Sequence, residues 1–237
     1  MHRGIDITKN PLEVAPGSHT WLGGIEIDVN GRTKVSGLWA AGETAGGIHG
    51  GNRIGGSALS ASLVFGRRAG REAANAAKAL GSNTPSPVVF PEKESEWLNQ
   101  LLARREGPLQ ADVLKRCKMI AHEKLGPIRD GTTSTEANQE FKEIEVSVIP
   151  NMRLADEARK SNKVQGQELE SALGVRNLAL LGRLLSTTTL KRRESRGAHY
   201  RLDFPEQDDK NWRRVTRLQK GSEGEIKFQT DPVKNHG

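Results

Sequence analysis

Hydrophobic and polar positions alternate through Ile25-Glu26-Ile27-Asp28-Val29, Asn30-Gly31 follows, and Thr33-Lys34-Val35 resumes the pattern. A period of two on both sides of Asn-Gly predicts a β-hairpin turning at that dipeptide. The run Gly37-Leu38-Trp39-Ala40-Ala41-Gly42 reads as a short buried strand that ends in a glycine-rich loop over 42–56. A helix is predicted over 57–80, with Ser57 as its N-cap and Gly81 as its stop. Gly66 and Gly70, one turn apart, are expected to let that helix approach a neighbour closely. Residues 82–93, with Pro85, Pro87 and Pro91, form a linker. Helical periodicity then dominates, over 94–106, 108–125, 136–162 with a break near Pro150, and 167–190. In the last stretch Leu169, Leu173, Leu180, Leu184 and Leu185 make the expected apolar stripe. The tail from Gly221 has few apolar residues and is expected to be weakly ordered. The pattern thus divides the chain into a glycine-rich α/β portion over 1–81, a linker over 82–93, an all-α helical bundle over 94–220 and a tail over 221–237.

Composition removes several function classes from this picture. Cys117 is the only cysteine, so there is no disulfide framework and no cysteine-held zinc or iron–sulfur site. No run of about 18 apolar residues occurs to span a bilayer, and the first twenty residues lack the apolar stretch of a secretory signal. A cytoplasmic, reducing compartment is therefore expected. The net charge is +7. Its excess lies towards the two ends, where Lys191-Arg192-Arg193 and Arg213-Arg214 are interrupted by Glu194, Asp203, Asp208 and Asp209. Nucleic-acid binding calls for a basic stripe interleaved with stacking aromatics, and that pattern is missing.

Most of the 26 glycines fall before residue 82, a density that marks backbone held close to something else. Strand, glycine loop and a helix opening on small residues bring free N–H groups and the positive helix end up to an anion. The spacing fits neither the dinucleotide fingerprint nor the Walker loop. Glu43, His49 and Arg53 stand out in a stretch with almost no other functional side chains, and His19 lies just upstream beside Gly23-Gly24. Taken singly, His19 is a loop histidine and Arg53 a surface cation. Together they suit a carboxylate, which Arg can clamp bidentately.

The order His19-x-x-x-Gly23-Gly24, then Gly37-Leu38-Trp39-Ala40-Ala41-Gly42-Glu43, His49-Gly50-x-Asn52-Arg53-x-Gly55-Gly56-Ser57 and Phe65-Gly66-Arg67 resembles the C-terminal part of the flavin domain in the fumarate reductase and succinate dehydrogenase flavoproteins. Two further segments carry the same resemblance. They are Leu125-Gly126-Pro127-Ile128-Arg129-Asp130-Gly131 and the run from Arg193-Glu194-Ser195-Arg196-Gly197-Ala198-His199 to Pro205, with Asp208-Asp209 and Trp212 beyond. The fold implied is an α/β remnant of an FAD-binding domain, comprising hairpin, short strand, glycine loop and helix, followed by the family's C-terminal helical domain.

The resemblance implies FAD as cofactor, with Glu43, Ala58, Leu59 and Thr20 against it. It implies a C4 dicarboxylate as substrate, fumarate or succinate, held by His19 and Arg53 with Gly56 close by, and hydride transfer between that substrate and the flavin. The family's proton-donor Arg lies in a capping domain, and its Gly-x-Gly-x-x-Gly turn lies in an N-terminal portion. This chain contains neither, so no catalytic residue is assigned, and the chain alone is expected to be inactive. The expected partners are a separate N-terminal flavoprotein portion, an iron–sulfur subunit, or both, and a partner subunit could make the otherwise cytoplasmic chain peripheral to a membrane. L-aspartate oxidase shares the Arg-Glu-Ser-Arg-Gly-x-His run and adenylylsulfate reductase shares the overall plan, so both remain alternatives. A non-catalytic assembly module docking on a redox partner is the alternative from another class. The run over 193–205 is read as stitching the helical part to the flavin part rather than as chemistry.

Overall fold

The computed structural model describes residues 6, 8–13, 17, 19–81, 91–159, 161–222 and 224–233, so most of the predicted linker lies outside the described residues. In the first portion β1 (Ile25–Glu26) pairs in parallel with β2 (Ala45–Gly46), Ile25 opposite Ala45 and Glu26 opposite Gly46. The two backbones approach so closely that a Cβ on Gly24 or on Gly46 would overlap the facing chain. The predicted hairpin is displaced. Asp28 to Arg32 closes a tight turn, with Gly31 at φ +78°, and the antiparallel contact forms between Arg32 and Trp39 instead. The second turn of this unit sits at Ser36-Gly37, where Gly37 takes φ +79°. Asp28 explains the shift, because its carboxylate accepts from the amides of Asn30 and Arg32 and turns the Asn-Gly segment on itself. The expected strand over 37–42 is reduced to that single bridge.

α1 (Ser57–Leu80) ends at Gly81 as expected, but its N-cap is Gly56, left-handed at φ +82°, and Ser57 is the first helical residue. The Asp28–Arg32 turn packs on its middle. Arg68 donates to the Val29 carbonyl, Arg32 pairs with Glu72 at 2.6 Å, and a Cβ on Gly31 would sit 2.8 Å from that of Ala69. Gly66 and Gly70 face open space, contrary to the close approach expected of them.

The bundle comprises α2 (Glu92–Ala103), α3 (Gln110–Lys124), α4 (Gly131–Glu143) and α5 (Asn162–Lys191), with β3 (Ile128–Arg129) between α3 and α4. Asp130 caps α4 by accepting from the Thr133 amide and hydroxyl. α4 therefore starts five residues before the predicted boundary of 136. It runs out through a π turn at Ile144–Val148 and a 3-10 turn at Ile149–Asn151, and the chain beyond Pro150 does not continue as one helix to residue 162. On α5 the fully buried stripe is Ala172, Val175, Ala179, Gly182, Ser186 and Thr189, while of the predicted leucines Leu169 and Leu185 pack against the core and Leu173 and Leu180 are exposed. Small residues at alternating three- and four-residue spacing let α5 lie tight on α4, whose Phe141 ring is buried against Gly182.

Residues 226–232 are ordered in a way composition did not suggest. After β4 (Tyr200–Arg201), parallel to β3, and the short α6 (Asp209–Trp212), β5 (Arg214–Lys220) pairs antiparallel along its full length with β6 (Ile226–Pro232). Within the tail expected to be weakly ordered, residues 226–232 form a strand. Cross-strand hydrogen bonds and the Arg217–Asp231 ion pair offset its sparse apolar content.

Among the described residues the main hydrophobic cluster lies in the bundle. Leu101, Val113, Cys117, Ile120, Phe141, Ile144, Met152 and Val175 are among its members. Among the described residues of the first portion only Ala40, Ala45 and Ala69 are buried hydrophobics, whereas Ile25, Val29, Val35, Leu38, Ile54, Leu59, Leu63 and Val64 are exposed.

Candidate functional site

The glycine loop is built around its backbone. A 3-10 turn at Gly42–Thr44 follows a left-handed Gly42 (φ +79°), and Gly47, Gly50 and Gly56 also take positive φ, which side chains with a Cβ resist. This path brings the loop back under the segment that carries His19. The Glu43 carboxylate accepts from the Trp21 amide at 2.7 Å, and the Arg53 guanidinium donates to the Thr20 hydroxyl at 3.2 Å. Asn52 accepts from the Arg53 amide through its side-chain oxygen. His19, Thr20, Glu43 and Arg53 therefore converge on one stretch of three residues, with His19 exposed and Arg53 and Thr20 half-buried.

Gly56, Ala58 and Leu59 lie apart from that cluster's hydrogen bonds, at the mouth of α1. Gly56 offers no side chain to cap the 24-residue helix, and the Ser57 amide donates to the Ile54 carbonyl at 3.2 Å, so the positive helix end is presented by the amides that follow Ser57. A Cβ at Gly47, Gly50, Gly55 or Gly56 would meet nothing within 4 Å, and Leu59 and Ile54 are exposed. The result is an open cradle of bare backbone with an apolar wall. Those properties fit the flat, largely apolar isoalloxazine of FAD, whose reduced form carries a negative charge that a helix N-terminus favours.

The second motif sits beside the first. Gly51 accepts from the Ala198 amide at 3.0 Å, and Gly197 presses against the Gly51 carbonyl so closely that a Cβ there would overlap it. The rest of the motif ties the bundle together. Arg201, almost fully buried, pairs with Asp203 and donates to the carbonyls of Thr189 and Arg192 at the C-terminal end of α5, where a cation opposes the helix dipole. Asp203 accepts from the Gly131 amide at the start of α4. Glu194 is fully buried between Arg192 and Arg196. Burial alone would raise its carboxyl, but Arg196, the Asp208 amide and Arg192 outweigh that and hold it below the usual carboxylate range. Burial, reinforced by the neighbouring Arg129, pushes the His199 imidazole down to about 4.

Among the described residues no group of acidic, His or Cys side chains could hold a metal, and no helix is long and apolar enough to cross a membrane. Two residues escaped sequence reasoning as parts of the site: Asn52, and the Gly51 contact with Gly197. The glycine of Arg196-Gly197 was the available signal, because its positive φ and its close approach both exclude a Cβ.

Family comparison decides what this arrangement belongs to. The family described as "Fumarate reductase flavoprotein C-term" matches residues 115–236, and the family described as "FAD binding domain" matches residues 1–59. The chain belongs to the fumarate reductase flavoprotein family. FAD is accordingly its cofactor. The fumarate reductase flavoprotein subunit of Mycobacterium tuberculosis is 34% identical over 98% of this chain and 40% of its own length. L-aspartate oxidase of Streptomyces coelicolor is 31% identical over 91% of this chain and 36% of its own length. The FrdA subunit of E. coli quinol fumarate reductase superposes with a TM-score of 0.83 at 27% identity, covering 98% of this chain and 40% of that one. This family member thus spans about 40% of the length of such relatives.

Proposed function

We propose that the chain is the C-terminal segment of an FAD-dependent oxidoreductase that interconverts fumarate and succinate. On this reading residues 1–81 are the remnant of an FAD-binding α/β domain, and residues 94–220, with the β5–β6 hairpin, are its helical domain. His19 and Arg53 anchor one carboxylate of the dicarboxylate, with Gly56 against it. Thr20, Glu43, Ala58 and Leu59 line the flavin side. FAD, when bound, supplies the two-electron redox chemistry. The chain's own residues bind and orient the substrate through charge-assisted hydrogen bonds, so that the reacting carbon is held still.

The observation that carries this reading is the convergence of Arg53 on Thr20, next to His19, beside an open helix N-terminus. The remaining requirements are a capping portion and the pyrophosphate-binding turn, supplied from outside residues 1–237. The exposed apolar residues of α1 and of the 25–38 segment support such a partner, as do the relatives' greater lengths. An iron–sulfur centre in the electron path would sit on another chain, since Cys117 is the only cysteine here.

The purified chain is expected to show neither flavin absorbance nor fumarate reduction with a reduced dye, and co-expression with an N-terminal flavoprotein portion is expected to restore both. Turnover by the chain alone would overturn the requirement for a partner. L-aspartate oxidation is the second reading, favoured by the Streptomyces coelicolor relative. A complex that oxidises L-aspartate in preference to succinate would establish it.

A further inference from the structure

We propose that the turn Arg196-Gly197-Ala198-His199, contributed by the helical portion, is a positioning element that sets where Arg53 points. The proposal rests on Arg53 being the substrate anchor. The turn is closed by two hydrogen bonds, Arg196 amide to His199 carbonyl at 2.8 Å and His199 amide to Arg196 carbonyl at 3.0 Å. Gly197, at φ +58°, supplies the left-handed residue. That closure leaves the Ala198 N–H pointing outward, onto the Gly51 carbonyl.

The contact is rigid on its helical side. Arg196 holds both oxygens of the fully buried Glu194 at 2.9 Å and reaches Asp209 at 2.7 Å, while Arg192 closes on Glu194 from the other side. A guanidinium with this many fixed partners has little rotamer freedom left. The loop side is the opposite. Gly47, Gly50, Gly55 and Gly56 face open space, so few contacts hold the loop on that side. Gly51 is where the rigid and the free parts meet. Asn52 follows and accepts from the Arg53 amide, and the Arg53 side chain ends on Thr20. The line of contacts from buried Glu194 through Arg196, the turn, Gly51 and Asn52 to Arg53 crosses from the bundle to the candidate anion clamp. Without it, a loop of many glycines would spread Arg53 over many orientations, each with an entropic cost on binding.

Two measurements test the proposal. The first is hydrogen–deuterium exchange on the full 237-residue chain, which needs no flavin. Gly197→Ala places a Cβ on the Gly51 carbonyl, and it is expected to accelerate exchange across 47–56 while the bundle helices keep their protection. Arg196→Lys, which keeps the charge but loses the two-pronged grip on Glu194, provides the same readout should Gly197→Ala misfold. Unchanged exchange in the loop overturns the proposal.

The second uses the co-expressed complex. Gly197→Ala is expected to raise the KM for fumarate on the order of tenfold to a hundredfold, with a smaller change in kcat. Added to Arg53→Ala it is expected to raise KM no further, because the two act through one group. A merely structural turn gives KM effects that multiply, and that result refutes the positioning role. A wild-type complex without fumarate turnover would refute the proposed function instead, leaving the exchange result to decide the turn.

Discussion

Gly182→Ala tests whether the close packing of α5 on α4 is set by one missing side chain. A Cβ at Gly182 would overlap Cε1, Cε2 and Cζ of Phe141, a ring with no exposed surface. Two effects compete. Alanine in a helix interior is favoured over glycine by about 1 kcal/mol, whereas forcing a methyl group into a filled core costs about 1–3 kcal/mol. The ring is surrounded by core residues and has no void to enter, so the cost falls in the upper part of that range. The net expectation is a loss of about 1–2 kcal/mol, which for a folding unit of this size lowers Tm by roughly 2–8 °C. Gly174 on the same helix is the internal control, since its Cβ would meet nothing within 4 Å. Gly174→Ala is therefore expected to stabilise by up to about 1 kcal/mol. Urea and thermal melts of both variants give the comparison, and Phe141→Leu in the Gly182→Ala background is expected to recover part of the loss. Equal stabilisation by both alanines would refute the reasoning.

The remaining expectations concern single groups. Burial raises the Cys117 thiol to about 11, so it should resist an aromatic disulfide reagent in the native chain and react at once in denaturant. His199 ionises near 4 when folded and near 6.5 when unfolded. The unfolded chain therefore takes the proton first, and the His199 contribution to stability should be complete above pH 6.5 and shrink as pH falls towards 4. Its ring proton resonances report the midpoint, and a midpoint at 6.5 would contradict the burial argument. Glu194→Gln removes the charge that balances Arg192 and Arg196, and chemical denaturation should show a loss of about 3 kcal/mol. Leu63→Glu changes an exposed residue, so the chain's own stability should stay within about 0.5 kcal/mol. Co-purification with an N-terminal flavoprotein portion should nonetheless fall sharply, and unaltered co-purification would remove α1 from that interface.

The helices were legible because each carries local punctuation. Gly81 stops α1, and the proline-containing turn after Val148 closes the α4 segment. The errors came from competition between local and distant partners. Asn30-Gly31 does turn, but Asp28 captures its amides and moves the strand contact outward to Arg32 and Trp39. The leucines of α5 carry helical periodicity, yet the small residues between them are the ones a tightly packed neighbour selects. Strand β6 has few apolar residues, and its order depends on pairing with β5, which no local signal reveals. At the candidate site motif order proposes His19, Thr20, Glu43 and Arg53, but it says nothing of the hydrogen bonds from Arg53 to Thr20 and from the Trp21 amide to Glu43.

The amino-acid sequence by itself determined the family and the cofactor class, and it concentrates the glycines in the first third of the chain. Composition and motif order carry those properties without reference to distance. Tertiary structure alone decided that the two motifs touch at Gly51 and Gly197, that the main hydrophobic cluster among the described residues lies in the bundle, and that Ile25, Val29, Leu59 and Leu63 of the first portion are exposed. The physical reason is sequence separation. A contact between residues about 150 apart leaves no periodic trace in the chain, because it is selected by shape and by the absence of a Cβ rather than by any local preference.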